Sequence, residues 1–137
     1  PLVLEGLAQR LEAATAAGIP RNKIVLDPGL GFGKKFDENY PLLAHFDQLR
    51  QLNLPLLVGV SRKSFLTRTL TSSLLSSFAE GGGPASSSTT RAPEDLINVS
   101  TAANVAAILA GAHIIRTHDV SPAVEAATIA DRILAEI

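Results

Sequence analysis

Ile24-Val25-Leu26-Asp27-Pro28-Gly29-Leu30-Gly31-Phe32-Gly33-Lys34 is the stretch on which the fold turns. A short β-branched and aliphatic run stops at a carboxylate, and the chain then bends through Pro-Gly. Runs of this kind read as strands buried on both faces of a parallel sheet. The same arrangement recurs twice: Leu56-Leu57-Val58 leads into Gly59-Val60-Ser61-Arg62-Lys63-Ser64-Phe65, and residues 112–115 lead into Arg116-Thr117-His118-Asp119. Parallel α/β folds carry their functional groups at the carboxyl ends of the strands. The three stretches therefore predict an acid, a lysine, an arginine and a histidine on one rim, a set suited to an anionic, heteroaromatic ligand.

Helical spacing fills the intervals. Residues 3–17 place Leu4, Leu7 and Leu11 on one face and stop at Gly18. Pro41 opens a helix over 41–51 with Leu42, Leu43, Phe46 and Leu49 as its stripe. A short helix is expected near 63–70, another over 100–110, and a last one with Ser121 as N-cap and Pro122 in its first turn. Strands are expected at 24–27, 56–60 and 112–117. Residues 71–92 read as a flexible Ser/Gly-rich insertion, because so polar a stretch buries too little to offset the entropy of ordering it. Helices alternating with strands define a parallel sheet with helices outside it. Three strands leave two open edges, and a full (β/α)8 barrel takes about 250 residues. The 137 residues thus read as just under half of such a barrel. Pro1 at the start and the lack of any Met agree with a piece of a longer chain.

Composition narrows the function. The chain is 46% hydrophobic and 18% charged, enough apolar residue to build a core. A net charge of −1 argues against broad electrostatic binding to nucleic acid or an anionic membrane. No apolar run reaches the roughly 18–20 residues of a membrane span. Without cysteine there are neither disulfides nor thiolate metal sites, which suits a reducing compartment.

The chemistry is read residue by residue. Asp27 offers two acceptors side by side, which match the adjacent ring N–H and amine of a pterin or guanine; equally, an Asp before Pro-Gly can cap its own loop. The glycines fit neither nucleotide signature: Lys34 stands where a dinucleotide fingerprint needs Gly, and Pro28 where a P-loop does. Gly59, Ser61 and Lys63 share one face of an extended segment, so Lys63 can donate to a ring carbonyl or an anion while Arg62 turns to a neighbouring loop. The alternative is a basic, solvated helix start. Arg116 and His118 also share a face and together could clamp a phosphate or diphosphate. His113 and His45 read as structural. No His pair or acidic cluster has metal-ligand spacing.

Taken in order, residues 26–34, 54–65 and 111–120, with 39–55 and 102–110 between them, closely resemble the dihydropteroate synthase family. The resemblance implies a partial (β/α)8 TIM barrel, the C-terminal three βα units, strands six to eight of that fold. It implies the joining of 6-hydroxymethyl-7,8-dihydropterin diphosphate to 4-aminobenzoate in folate biosynthesis. Asp27, Lys63 and Arg116 would then be the catalytic set. Asp27 would hold the amino-pyrimidine edge, and Lys63 the pterin carbonyl with Gly59 beside the ring. Phe32 and Ser61 would border the aminobenzoate, and Arg116 and His118 would bind the diphosphate. Mg2+ is expected on the diphosphate, with its protein contact in the N-terminal half. The family also implies a homodimer, sometimes fused to a pterin pyrophosphokinase, in the cytoplasm (or a mitochondrion in a plant-like source). One departure stands out: Leu96-Ile97-Asn98-Val99-Ser100 replaces the usual Arg-x-x-Gly-Ser/Thr. The competing readings are the pterin-binding domain of a folate/corrinoid methyltransferase, which needs no diphosphate clamp, and a non-catalytic half-barrel.

Overall fold

The computed structural model describes residues 2–79 and 96–137. Along them run α1 (Leu2–Ala16), α2 (Asn39–Ala44), β1 (Leu57–Val58), α3 (Ser64–Ala79), α4 (Ile97–Leu109), β2 (Ile114–Ile115) and α5 (Val120–Leu134). The single helix expected over 41–51 is divided at His45, after which Phe46–Leu52 winds as a 3-10 helix. That tighter winding stacks residues three apart, so Phe46 and Leu49 both enter the core.

β1 and β2 pair in parallel, Leu57 with Ile114 and Val58 with Ile115, and Leu26 bridges to Leu56 on the other side. The Leu57 N–H donates to Leu26 O at 2.8 Å and the Arg116 N–H to Val58 O at 2.8 Å. Neighbours in space are thus neighbours in sequence, the pattern of consecutive βα units. The expected strand at 24–27 reduces to the one bridge at Leu26, and that at 112–117 to Ile114–Ile115. Pro28 has no N–H with which to prolong the first, and the second has only two residues of β1 to pair with.

Period-2 alternation then sorts the side chains. Leu26, Leu56, Val58 and Val60 are buried and join Leu43, Phe46, Phe65, Ala103 and Ala107 in one core. Val58 is fully buried among the helices and Ile115 is paired beside it. The other face carries Val25, 45% exposed, Leu57, and Ile114, 39% exposed. Asp27, Gly59, Ser61, Arg116 and His118 continue this second face at the strand ends.

α3 runs on to Ala79, into the stretch read as an insertion. Four of its hydroxyls bond to carbonyls one turn earlier: Thr67 to Lys63 O, Thr69 to Phe65 O, Thr71 to Thr67 O and Ser72 to Arg68 O. Residues 80–92 of that stretch lie outside the described residues. α5 packs on α4 through Ala123, Ala126 and Ala130, small residues on one face. Asp119, not Ser121, is its N-cap residue, and no side chain caps the helix, because the Asp119 carboxylate is held by Arg62. Among the described residues no helix is long and apolar enough to cross a membrane.

Candidate active site

The glycine-rich loop after Leu26 has many backbone groups and few side chains of its own, so its polar groups must find partners elsewhere. Asp27 Oδ1 accepts the Gly29 N–H at 2.8 Å. Lys34 Nζ donates to the carbonyls of Pro28 and Gly29, both at 2.8 Å, and of Phe32 at 3.2 Å, filling the loop as a bound cation would. Buried Asn39 accepts the Gly31 N–H at 2.7 Å through Oδ1 and donates through Nδ2 to Lys35 O and Phe36 O. Sequence reading singled out neither Lys34 nor Asn39. The signal available was the loop's surplus of unpaired backbone groups with an amine and an amide close by. Burial lowers the Lys34 pKa below the usual lysine value, against the pull of Asp27 and Glu38.

Asp27 divides its two oxygens between the loop and a cation. One oxygen caps the loop, and the other, Oδ2, lies 3.7 Å from Arg116 Nη2. That distance is long for a charge-assisted hydrogen bond, which runs about 2.7–2.9 Å, so a ligand can part the two groups without breaking one. Arg116 reaches Asp27 across Gly59, where a Cβ would fall 2.9 Å from Nη2 and 3.2 Å from Nε. Lys63 lies along the loop in the same way. A Cβ on Gly31, whose φ is 78°, would meet Lys63 Cδ at 2.9 Å, and Lys63 Nζ stands 3.4 Å from the centroid of the Phe32 ring. Burial, and then the charge of Arg116, lower the Lys63 pKa, with Asp27 opposing. Asp27, Phe32, Gly59, Lys63 and Arg116 thus form one constellation.

Ser61 and His118 form a second pair. The buried Ser61 hydroxyl accepts the His118 backbone N–H at 3.2 Å and lies 3.0 Å from its Nδ1. Having accepted from the backbone, the hydroxyl can give its proton to Nδ1, which leaves Nε2 as the protonated nitrogen, suited to an anion. Ser61, expected beside a ligand, therefore orients His118 here. Arg62 turns away as expected and meets Asp119. His113 is structural: its Nδ1 accepts the Leu56 N–H at 3.2 Å.

The larger cavity, about 440 Å³, lies between β2 and α5, and a second of about 310 Å³ lies between α1 and the glycine loop. Arg116 borders the first and Asp27 the second. Neither encloses the constellation, so we place the candidate site on the open face where the two residues meet. Among the described residues no three His, Asp or Glu side chains converge as a metal site.

The structure is thus a parallel α/β arrangement with a carboxylate, a lysine and a guanidinium gathered at its strand ends. The chain belongs to the pterin-binding enzyme family, whose model matches residues 2–118. It is 37% identical over 126 residues to dihydropteroate synthase of Escherichia coli K12, covering 92% of this chain and 38% of that protein. It is 42% identical over 116 residues to a type-2 dihydropteroate synthase of Escherichia coli, covering 82% and 36%. The chain therefore spans well under half the length of these relatives. In structure it is similar to Yersinia pestis dihydropteroate synthase, with a TM-score of 0.80 and 38% identity over 97% of this chain and 54% of that one. It is also similar to the Xanthomonas albilineans enzyme in complex with 7,8-dihydropteroate, with a TM-score of 0.79 and 33% identity, covering 97% and 44%.

Proposed function

We propose that this chain supplies three consecutive βα units of a dihydropteroate synthase barrel. The intact protein would join 6-hydroxymethyl-7,8-dihydropterin diphosphate to 4-aminobenzoate. The observation that carries the reading is the meeting of Asp27 and Arg116 across Gly59, with Lys63 beside them. The open Asp27 oxygen accepts from the amino-pyrimidine edge of the pterin, and Lys63 donates to its carbonyl. The bond between the pterin methylene and the diphosphate oxygen breaks, and its electron pair leaves with the diphosphate. Positive charge builds on the pterin, beside Asp27. Negative charge builds on the leaving group, toward Arg116 and His118. Charges fixed in advance of the reaction are the kind of stabilisation enzymes use most. The aromatic amine of aminobenzoate then forms the new C–N bond and loses a proton.

Magnesium would come with the diphosphate. The described residues do not fit a cage for it, and none of these steps passes through it. A cytoplasmic, homodimeric protein belongs to the same proposal. So does fusion to another folate enzyme, which gains support from a Haloferax volcanii relative, 35% identical, named a probable bifunctional folylpolyglutamate synthase/dihydropteroate synthase. The test is to assay the intact protein for dihydropteroate from the two substrates, beside its Asp27→Asn variant. Turnover by the parent that collapses in the variant supports the reading. No turnover in either, or equal turnover in both, overturns it.

A further inference from the structure

Two loops of the candidate site are tied together by an ion pair and by hydrogen bonds. Arg62 Nε donates to Asp119 Oδ2 at 3.1 Å and its Nη2 to Asp119 Oδ1, a two-pronged pair between the loop after β1 and the loop after β2. Arg62 holds a left-handed backbone with φ of 56°, uncommon for a residue with a Cβ. Its own N–H is received by the buried Ser100 hydroxyl of α4 at 2.9 Å. On one side of it stands Ser61, bonded to both the backbone and the ring of His118, and His118 adjoins Asp119 in the chain. Residues 61 and 62 are thus joined to 118 and 119 by four bonds, across a separation of 57 positions.

We infer that Arg62, through its pair with Asp119, is a positioning residue that fixes the His118 imidazole for the leaving diphosphate. The inference rests on the functional reading above. The unusual backbone at Arg62 is what it takes to aim consecutive side chains differently: Ser61 at His118, Arg62 at Asp119, and Lys63 along the glycine loop. Removing the guanidinium takes away two of the four bonds that hold the loop presenting His118. Asp27 and Lys63, on the pterin side, keep their own supports in the glycine loop. The pair should therefore govern affinity for the diphosphate and not for the pterin ring.

The experiment uses the intact protein with two probes measured by calorimetry, inorganic pyrophosphate and 7,8-dihydropterin. Arg62→Ala should weaken pyrophosphate binding about tenfold and change dihydropterin binding less than twofold. The exchange Arg62→Asp with Asp119→Arg should recover most of the pyrophosphate affinity, helped by the ease with which Asp adopts a left-handed backbone. Melting curves of each variant separate loss of binding from loss of fold. Unchanged pyrophosphate affinity in Arg62→Ala, an equal loss for both probes, or no recovery in a folded exchange variant overturns the inference while leaving the functional reading intact. A parent protein that binds neither probe overturns both.

Discussion

Asp27 is where charge and loop geometry meet, and Asp27→Asn is the most informative single change. One oxygen must still receive the Gly29 N–H, which turns the new amide nitrogen toward the ligand's donors and Arg116. An acceptor becomes a donor, and a charge is lost. The expected cost is about 2–4 kcal/mol in affinity for the pterin diphosphate, measurable by calorimetry; retained affinity would remove Asp27 from the site. Gly59→Ala probes the same spot sterically. Its Cβ would displace the Arg116 guanidinium, so substrate affinity should fall while thermal stability changes little. Lys63 offers a pH test. Arg116 helps to lower its pKa, so Arg116→Gln should raise it, as followed by NMR of the lysine methylene next to the amine. The linkage has a definite sign. The unfolded chain holds that proton more tightly, so this group's contribution to stability rises with pH from the depressed folded value up to the ordinary 10.5 and is constant below that window. A Lys63 pKa that stays put in Arg116→Gln would show that Arg116 does not help to set it.

At the scale of elements, the glycine loop depends on side chains that lie outside the glycines. Asn39 is buried and satisfies one N–H and two carbonyls. Asn39→Ala should destabilise the protein by about 1–3 kcal/mol, the cost of a buried donor left without a partner, and should loosen Phe32 and Asp27 together. Urea melts and substrate affinity check this; loss of stability with unaltered affinity would separate the loop from the site. Helix placement was largely legible: α1 and α4 stand close to where their apolar spacing puts them, and α5 close to where Ser121 and Pro122 mark its start. Three things were not. α3 continues to Ala79, through residues that composition assigns to a loop, with the Thr71 and Ser72 hydroxyls bonded to carbonyls one turn earlier. The break at His45 answers to the packing of Phe46 and Leu49. The Asp119 carboxylate is drawn from helix capping to Arg62, a partner 57 positions away.

On the whole-molecule scale, the sheet has, among the described residues, one face against helices and one open. Val25 and Ile114 are exposed on the open face, next to the strand ends that carry the site. An apolar face of this kind, flanked among the described residues by unpaired strand edges, favours association. Residues 1–137 expressed alone should self-associate in sedimentation and form no dihydropteroate from the two substrates with magnesium. Efficient turnover by a monomer of these residues would contradict the view that the site is shared with further barrel units.

The chemistry of this protein was written locally. That Asp27, Lys63, Arg116 and His118 stand at the carboxyl ends of the strands was legible in the sequence, because each lies at or shortly after the end of an apolar run. Pairing was not local. That Arg116 lies over Gly59 toward Asp27, that Ser61 serves His118, and that Arg62 is held by Asp119 and Ser100 depend on strands brought side by side from distant parts of the chain. Hydrogen bonds and close contacts act over a few ångströms, so only the tertiary structure decides which of several chemically suitable partners each side chain meets.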